Sequence, residues 1–111
     1  MRRRLLLVLV ACSHAGTEEL RAEWDAFVDA HRACEVDTDC AIVFAGCPLD
    51  CGSVVSADAV DAAEAEAVRL IAEYTRDHPA CTYHCTPPRA PVCGADGACV
   101  ATDRSRAVGG G

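Results

Sequence analysis

A chain of 111 residues is long enough for one small domain and too short for two independent hydrophobic cores. Nine cysteines beside only one tryptophan, two tyrosines and two phenylalanines favour a domain stabilised by disulfides, which form in an oxidising compartment. The formal charge of −7 argues against nucleic acid as a partner, because an acidic surface repels phosphates.

The N-terminus has the pattern of a bacterial export signal. Three arginines at 2–4 precede an apolar run at 5–11, which is too short to span a bilayer and predicts a signal peptide over residues 1–11. The run ends in L-V-A-C at 9–12, which resembles the lipobox of bacterial lipoproteins. That resemblance implies that Cys12 is lipidated, becomes the first residue and anchors the chain to a membrane of the cell envelope. Ser13 then favours the outer membrane.

The number of cysteines agrees with this interpretation, since eight remain without Cys12, an even set for disulfides. Two alternatives stay open. A signal peptidase could cut after Ala15 and release a secreted protein with the same eight cysteines. The apolar run could also be a buried segment behind a misplaced start. If residues 1–11 are removed, seven arginines face 17 acidic residues, for a formal charge of −10.

The first element of the mature chain is a predicted helix from Thr17 to about Ala33, with a cap followed by two glutamates. Its apolar face comprises Leu20, Trp24, Phe27, Val28 and His31. We interpret the histidine as a packed side chain without a function of its own. Residues 12–16 form the tether before this helix, and residues 17–103 form the single domain.

A turn and a strand follow the first helix. Asp37 and Asp39 predict a tight turn in which carboxylates accept hydrogen bonds from nearby backbone amides. The later ligands of a calcium-binding loop are absent, so calcium is not expected. An apolar run at 41–45 predicts a short buried strand.

The second predicted helix runs from Ser56, as N-cap, to Asp77, with a narrow apolar stripe of mostly small residues. The segment G-A-D-G at 94–97 predicts the turn of a C-terminal hairpin, and residues 104–111 read as a flexible tail. The fold class is therefore small, disulfide-rich α+β, with two helices packed on a short antiparallel sheet and a C-terminal hairpin.

The eight remaining cysteines form two C-x5-C motifs and, between them, two C-x3-C motifs. They are Cys34, Cys40, Cys47, Cys51, Cys81, Cys85, Cys93 and Cys99. The C-x3-C motifs resemble those of helical-hairpin mini-proteins, which implies the pairs Cys51–Cys81 and Cys47–Cys85. The first pair fails on geometry, because a helix of about 32 Å separates linkers that together reach about 30 Å. Otherwise the pairing stays open, with an expectation that most bridges join the sheet to segments flanking the second helix.

The segment from Cys85 to Gly97 resembles the C-T-x4-P-V-C-G-x-D-G stretch of Kazal-type serine protease inhibitors. The resemblance implies a binding loop presented to a protease and formed by Thr86, Pro87, Pro88 and Arg89. The two prolines and the early position of Cys99 depart from the pattern of that family. Inhibition is therefore the second hypothesis for this chain.

A third hypothesis is a zinc-binding domain, since Cys81, His84 and Cys85 are close in sequence and thiolates ligate zinc. The sequence has no C-x-x-C motif for thiol redox chemistry, and its spacing indicates no catalytic cysteine–histidine pair, so neither an enzyme nor a cofactor is expected. The lipobox, the C-x-x-D-x-D-C turn and the closing C-x5-C hairpin resemble small uncharacterised cysteine-rich lipoproteins of Gram-negative envelopes. The first hypothesis is therefore a lipid-anchored envelope protein with a structural or binding role and an unknown envelope partner.

Overall fold

A computed structural model describes residues 16–86 and 90–102. It has the small disulfide-rich α+β fold that the sequence predicts. The regular elements are α1 (Thr17–Ala30), β1 (Cys40–Val43), β2 (Ser53–Ser56), α2 (Val60–Asp77), β3 (Pro91–Cys93) and β4 (Cys99–Ala101), with short 3-10 turns at Asp37–Asp39 and Ala57–Ala59. The predictions for Cys12, for the signal peptide and for the C-terminal tail lie outside the described residues.

Helix α1 begins after Gly16, whose N–H donates to Glu19 Oε1 at 3.3 Å, and ends at Ala30. The prediction that it reaches Ala33 is wrong, because the chain leaves the helix to meet the C-terminal hairpin. Ala33 forms an isolated antiparallel bridge with Ala98. These backbone groups bond across to the hairpin, so they cannot also continue the helix.

Helix α2 begins later than predicted. Ser56 does not cap it, since this residue ends strand β2 and its hydroxyl donates to the Ala33 carbonyl at 2.7 Å. The small apolar stripe is confirmed, with Ala63, Ala67 and Leu70 all buried. Small side chains let α2 approach α1 and the sheet closely.

The strands form two antiparallel pairs, β1 with β2 and β3 with β4. Strand β1 ends at Val43, where its pairing with Ser53 of β2 ends, and not at Ala45 as predicted; Phe44 beyond it is 60% exposed. Strand β2 was not predicted. The hairpin of β3 and β4 is confirmed, and its turn uses a left-handed backbone at Gly97, φ 83°, which glycine adopts without steric cost.

Two apolar clusters occupy the interior. The larger one lies between α1, α2 and the β1–β2 pair, and its largest members are Trp24, Leu20 and Leu70. The smaller one consists of Cys40, Val54 and Cys99, with other half-buried groups packed on it. Disulfide sulfur therefore makes up much of the second core.

Candidate functional site

Four disulfides join motifs of equal spacing in the same order along the chain. The bonds Cys34–Cys93 and Cys40–Cys99, which we call the hairpin clamp, attach the β3–β4 hairpin to the chain around β1. The bonds Cys47–Cys81 and Cys51–Cys85, which we call the loop clamp, attach the segment after α2 to the β1–β2 loop.

The pairing corrects two expectations. The prediction that Cys51 is not bonded to Cys81 is confirmed, although α2 is shorter than the helix on which it was based. The implied pair Cys47–Cys85 is wrong. Both C-x3-C motifs lie outside the helices, so the antiparallel order of a helical hairpin does not apply. The first cysteines of the two motifs are bonded to each other, and so are the second cysteines. Only the loop clamp reaches a segment beside α2, so most bridges do not join the sheet to such segments.

Backbone hydrogen bonds reinforce the hairpin clamp. The Cys34 N–H donates to the Gly97 carbonyl at 2.9 Å, and the Cys99 N–H donates to the Arg32 carbonyl at 2.7 Å. The Cys93 N–H donates to a carboxylate oxygen of Asp37 at 2.8 Å. The predicted aspartate turn therefore also attaches the hairpin.

The loop clamp lies nearer the surface. The segment from 79 to 86 has no helix or strand, and Cys85 is exposed. One side-chain hydrogen bond supports the two disulfides here, from the Tyr83 hydroxyl to the Pro48 carbonyl at 3.2 Å. The segment is thus held mainly by covalent bonds.

A half-buried polar contact fixes the other side of the loop clamp. The Trp24 indole N–H donates to Asp50 Oδ2 at 2.7 Å and lies 3.1 Å from Ser53 Oγ, and the Ser53 hydroxyl donates to the same carboxylate oxygen. The second oxygen, Asp50 Oδ1, is buried and has no hydrogen-bond partner among the described residues. No local pattern predicts this contact, because its members are 26 and 29 residues apart.

An open groove of about 670 Å³ lies between the end of α1, the chain at 33–39 and the start of the second helical region. Its walls carry the carboxylates of Glu35, Asp39 and Asp58, and Cys34 also lines it. The backbone N–H groups of Glu35 and Val36 donate to Asp39 and hold the pKa of that carboxyl below its usual value. Asp39 therefore stays ionised at a lower pH than an ordinary aspartate does.

The structure gives different results for the site residues that the sequence singles out. His31 packs as expected, stacked on Phe27 with ring centroids 4.0 Å apart. Thr86 is exposed beside Cys85, whereas residues 87–89 of the predicted binding loop lie outside the described residues. His84 is exposed.

Among the described residues, the proposed zinc ligands Cys81 and Cys85 do not belong to a cluster of three ligand atoms close enough to hold one metal ion. Their sulfurs are bonded to Cys47 and Cys51, so they are not thiolates in this structure. Zinc coordination requires the deprotonated thiolate. In this structure, Cys81 and Cys85 therefore serve as disulfide cross-links.

No protein-family model, curated protein or solved structure matches the chain. Within residues 16–86 and 90–102, no helix has the length and apolar character needed to cross a bilayer.

Proposed function

We propose that this chain is a lipid-anchored, disulfide-stabilised protein of the bacterial cell envelope, with a structural or binding role. The pairing of the cysteines carries the proposal. All eight cysteines from Cys34 to Cys99 are bonded to one another, so the disulfides of the domain do not require Cys12. Four disulfides also indicate an oxidising compartment, and the envelope outside the inner membrane is one.

The position of α1 supports a short anchor. The helix begins at Thr17, five residues beyond Cys12, and five extended residues reach about 17 Å. A domain on such a tether stays close to the bilayer. Its acidic residues disfavour contact with anionic headgroups, so the lipid and not the protein surface supplies the membrane affinity.

The groove supports a binding role more than a purely structural one. It is concave, lies at the surface and carries carboxylates on two sides. A partner with basic groups would complement it. The proposal places this partner within tether distance of the membrane.

An intact mass of the protein, expressed in a Gram-negative host and alkylated without reduction, tests the anchor. We expect a chain that starts at Cys12, is heavier by two or three acyl groups and carries no alkyl label. Cys12→Ser is the matched control, because it removes the lipidated thiol and leaves all eight disulfide cysteines. This variant should leave the membrane fraction and keep four disulfides.

Two results would contradict the proposal. A chain starting at Gly16 without lipid would make the protein a secreted domain, and membrane attachment that survives Cys12→Ser would exclude lipidation as its cause.

Protease inhibition is a second candidate, favoured by how the ends of the predicted loop are held. Cys85 and Cys93 flank the loop, and each is bonded to a different part of the domain. The Thr102 hydroxyl also donates to the Ala90 carbonyl at 3.1 Å, close to the second end. A loop fixed at both ends loses less conformational entropy when it binds.

A panel of serine proteases tests this second candidate. Inhibition that is lost in Arg89→Ala, and retained in the control Arg76→Ala on α2, would support it. The absence of inhibition across the panel would reject it and leave the anchor proposal unaffected.

A further inference from the structure

The sulfurs of the hairpin clamp form a compact group. Those of Cys34, Cys40 and Cys99 all lie within 4.8 Å of one another, and the fourth, from Cys93, is bonded to Cys34. Zinc bound by four thiolates has Zn–S bonds of about 2.3 Å, so its sulfurs lie about 3.8 Å apart at the corners of a tetrahedron. Breaking the two disulfides would free these three sulfurs together with that of Cys93, which lies beside the Cys34 sulfur.

We propose that the reduced protein binds one Zn²⁺ through Cys34, Cys40, Cys93 and Cys99, and that oxidation to the two disulfides releases it. Each C-x5-C motif presents two sulfurs from one turn. A 3-10 turn at 37–39 separates the first pair, and the second pair occupies directly opposed positions of the β3–β4 hairpin. Two turns that each offer two thiolates make a complete tetrahedral ligand set.

Contacts that do not involve sulfur hold the two turns together. The N–H groups of Cys34, Cys93 and Cys99 each donate across the junction, to Gly97, Asp37 and Arg32 respectively. None of these three hydrogen bonds involves sulfur, so reduction of the disulfides does not itself remove them. The ligands are therefore partly pre-positioned, which lowers the ordering cost of binding.

The acidic groove supplies a route for the ion. Cys34 lines it together with Glu35 and Asp39, whose carboxylates attract a divalent cation. Cys99 is fully buried at the other side of the sulfur group. Zinc would thus enter from the groove and bind against an apolar interior.

The loop clamp provides an internal comparison. It contains the same number of cysteines, but among the described residues its sulfurs form no group of three within the same distance. Among the described residues, no backbone hydrogen bond joins its segment at 79–86 to another part of the domain, unlike at the hairpin. The site is therefore expected at one clamp and not at the other.

The electron and proton balance is simple. Two equivalents of a dithiol reduce the two protein disulfides, and each dithiol becomes a disulfide. The four protein thiols then lose four protons on binding Zn²⁺, which gives a centre with a net charge of −2. Two equivalents of an organic disulfide reverse the process with uptake of four protons, giving four small thiols, the two protein disulfides and free Zn²⁺.

Alkylation of the reduced protein with and without Zn²⁺ tests the site. The full-length chain and its Cys12→Ser form are reduced with a phosphine, incubated with zinc, treated with a maleimide and digested for mass spectrometry. We expect one zinc per chain and labelling of the four hairpin-clamp cysteines that is roughly tenfold slower or more, because a metal-bound thiolate is a poor nucleophile. The loop-clamp cysteines should be labelled at their unprotected rate.

Matched variants sharpen the result. Cys40→Ser with Cys99→Ser should abolish stoichiometric binding, whereas Cys47→Ser with Cys81→Ser should retain it. Cobalt should give an intense thiolate charge-transfer band in the wild type and in the second variant only.

Three results would overturn the proposal: no stoichiometric metal, protection at the loop clamp, or equal protection at both clamps. The labelling pattern of the wild type decides the question even if a variant fails to fold.

Discussion

The hairpin clamp and the loop clamp each consist of two disulfides between motifs of equal spacing, but they are supported differently. Two of the four cysteines of the hairpin clamp, Cys40 and Cys99, are buried, and backbone hydrogen bonds join the same segments. In the loop clamp Cys85 is exposed, and the segment it holds has no helix or strand. One clamp is therefore part of a core, and the other restrains a surface segment.

This difference shows that equal cross-links do not have equal consequences. A disulfide stabilises a fold chiefly by restricting the unfolded chain, provided that the native structure is the same with and without it. The hairpin meets this condition, because other bonds keep it in place. The segment at 79–86 does not, since it would also relax in the folded protein and so recover entropy there.

The largest expected effect follows from removing a buried bond. With Cys34–Cys93 intact, Cys40–Cys99 closes a ring of roughly 14 residues, so Cys40→Ala with Cys99→Ala should lower the free energy of unfolding by about 3 kcal/mol. Urea unfolding followed by circular dichroism without reductant measures this loss.

The matched control for that experiment is Cys47→Ala with Cys81→Ala, which opens a ring of roughly ten residues. The entropy model alone assigns it nearly the same loss. We expect a clearly smaller one, because the released segment relaxes in the folded state. Equal losses at the two clamps would remove the distinction between them.

The second effect concerns the loop that the loop clamp holds. Trp24→Phe removes the indole N–H that donates to Asp50 and leaves this half-buried carboxylate with fewer partners. We expect a loss of about 2 kcal/mol in urea unfolding, from the unpaired group and the smaller ring. Asp50→Asn keeps an oxygen acceptor for the indole and should lose less. A larger loss in Asp50→Asn would show that charge, and not hydrogen bonding, fixes the loop.

The third effect depends on pH and belongs to the hairpin clamp. Because backbone N–H groups lower the pKa of Asp39 from its usual 3.8, the unfolded chain takes up the proton first as the pH falls. The stabilisation is thus present above about pH 3.8 and is lost as the pH falls toward the lower pKa of the folded state. Asp39→Asn should be less stable than the wild type at pH 7, with a difference that closes in acid.

Thermal unfolding of both proteins from pH 7 to pH 2 checks this prediction. The control is Asp25→Asn on the exposed side of α1, which has no side-chain hydrogen bond or ion pair within the described ranges. Its difference from the wild type should not depend on pH in this way. A difference for Asp39→Asn that persists unchanged at pH 2 would contradict the assignment.

Much of the fold follows from local patterns. The helical periodicity from Leu20 to Val28 and the glycines of the 94–97 turn are sufficient to predict α1 and the hairpin. These features depend on residues that are near one another in sequence.

The rest depends on distant contacts. Strand β2 is only four residues long, and its last residue, Ser56, is of a type that commonly caps helices. Pairing with β1 therefore decides that this segment is a strand. The order of the disulfides and the contact between Trp24 and Asp50 are likewise set by how the layers pack. The groove and the sulfur group follow from those contacts.

The smallest expected effect is at the side-chain hydrogen bond that joins the segment at 79–86 to the β1–β2 loop. Tyr83→Phe removes the hydroxyl that donates to the Pro48 carbonyl and should lower the free energy of unfolding by no more than about 1 kcal/mol, because Tyr83 is 40% exposed. Hydrogen exchange should instead speed up at 79–86 and stay unchanged at the amide of Cys99. Tyr74→Phe on α2 is the matched control, since its hydroxyl has no hydrogen bond among the described residues, and it should change neither quantity. If exchange rose equally at the hairpin in Tyr83→Phe, the two clamps would form one cooperative unit, and the contrast between a core clamp and a surface clamp would fail.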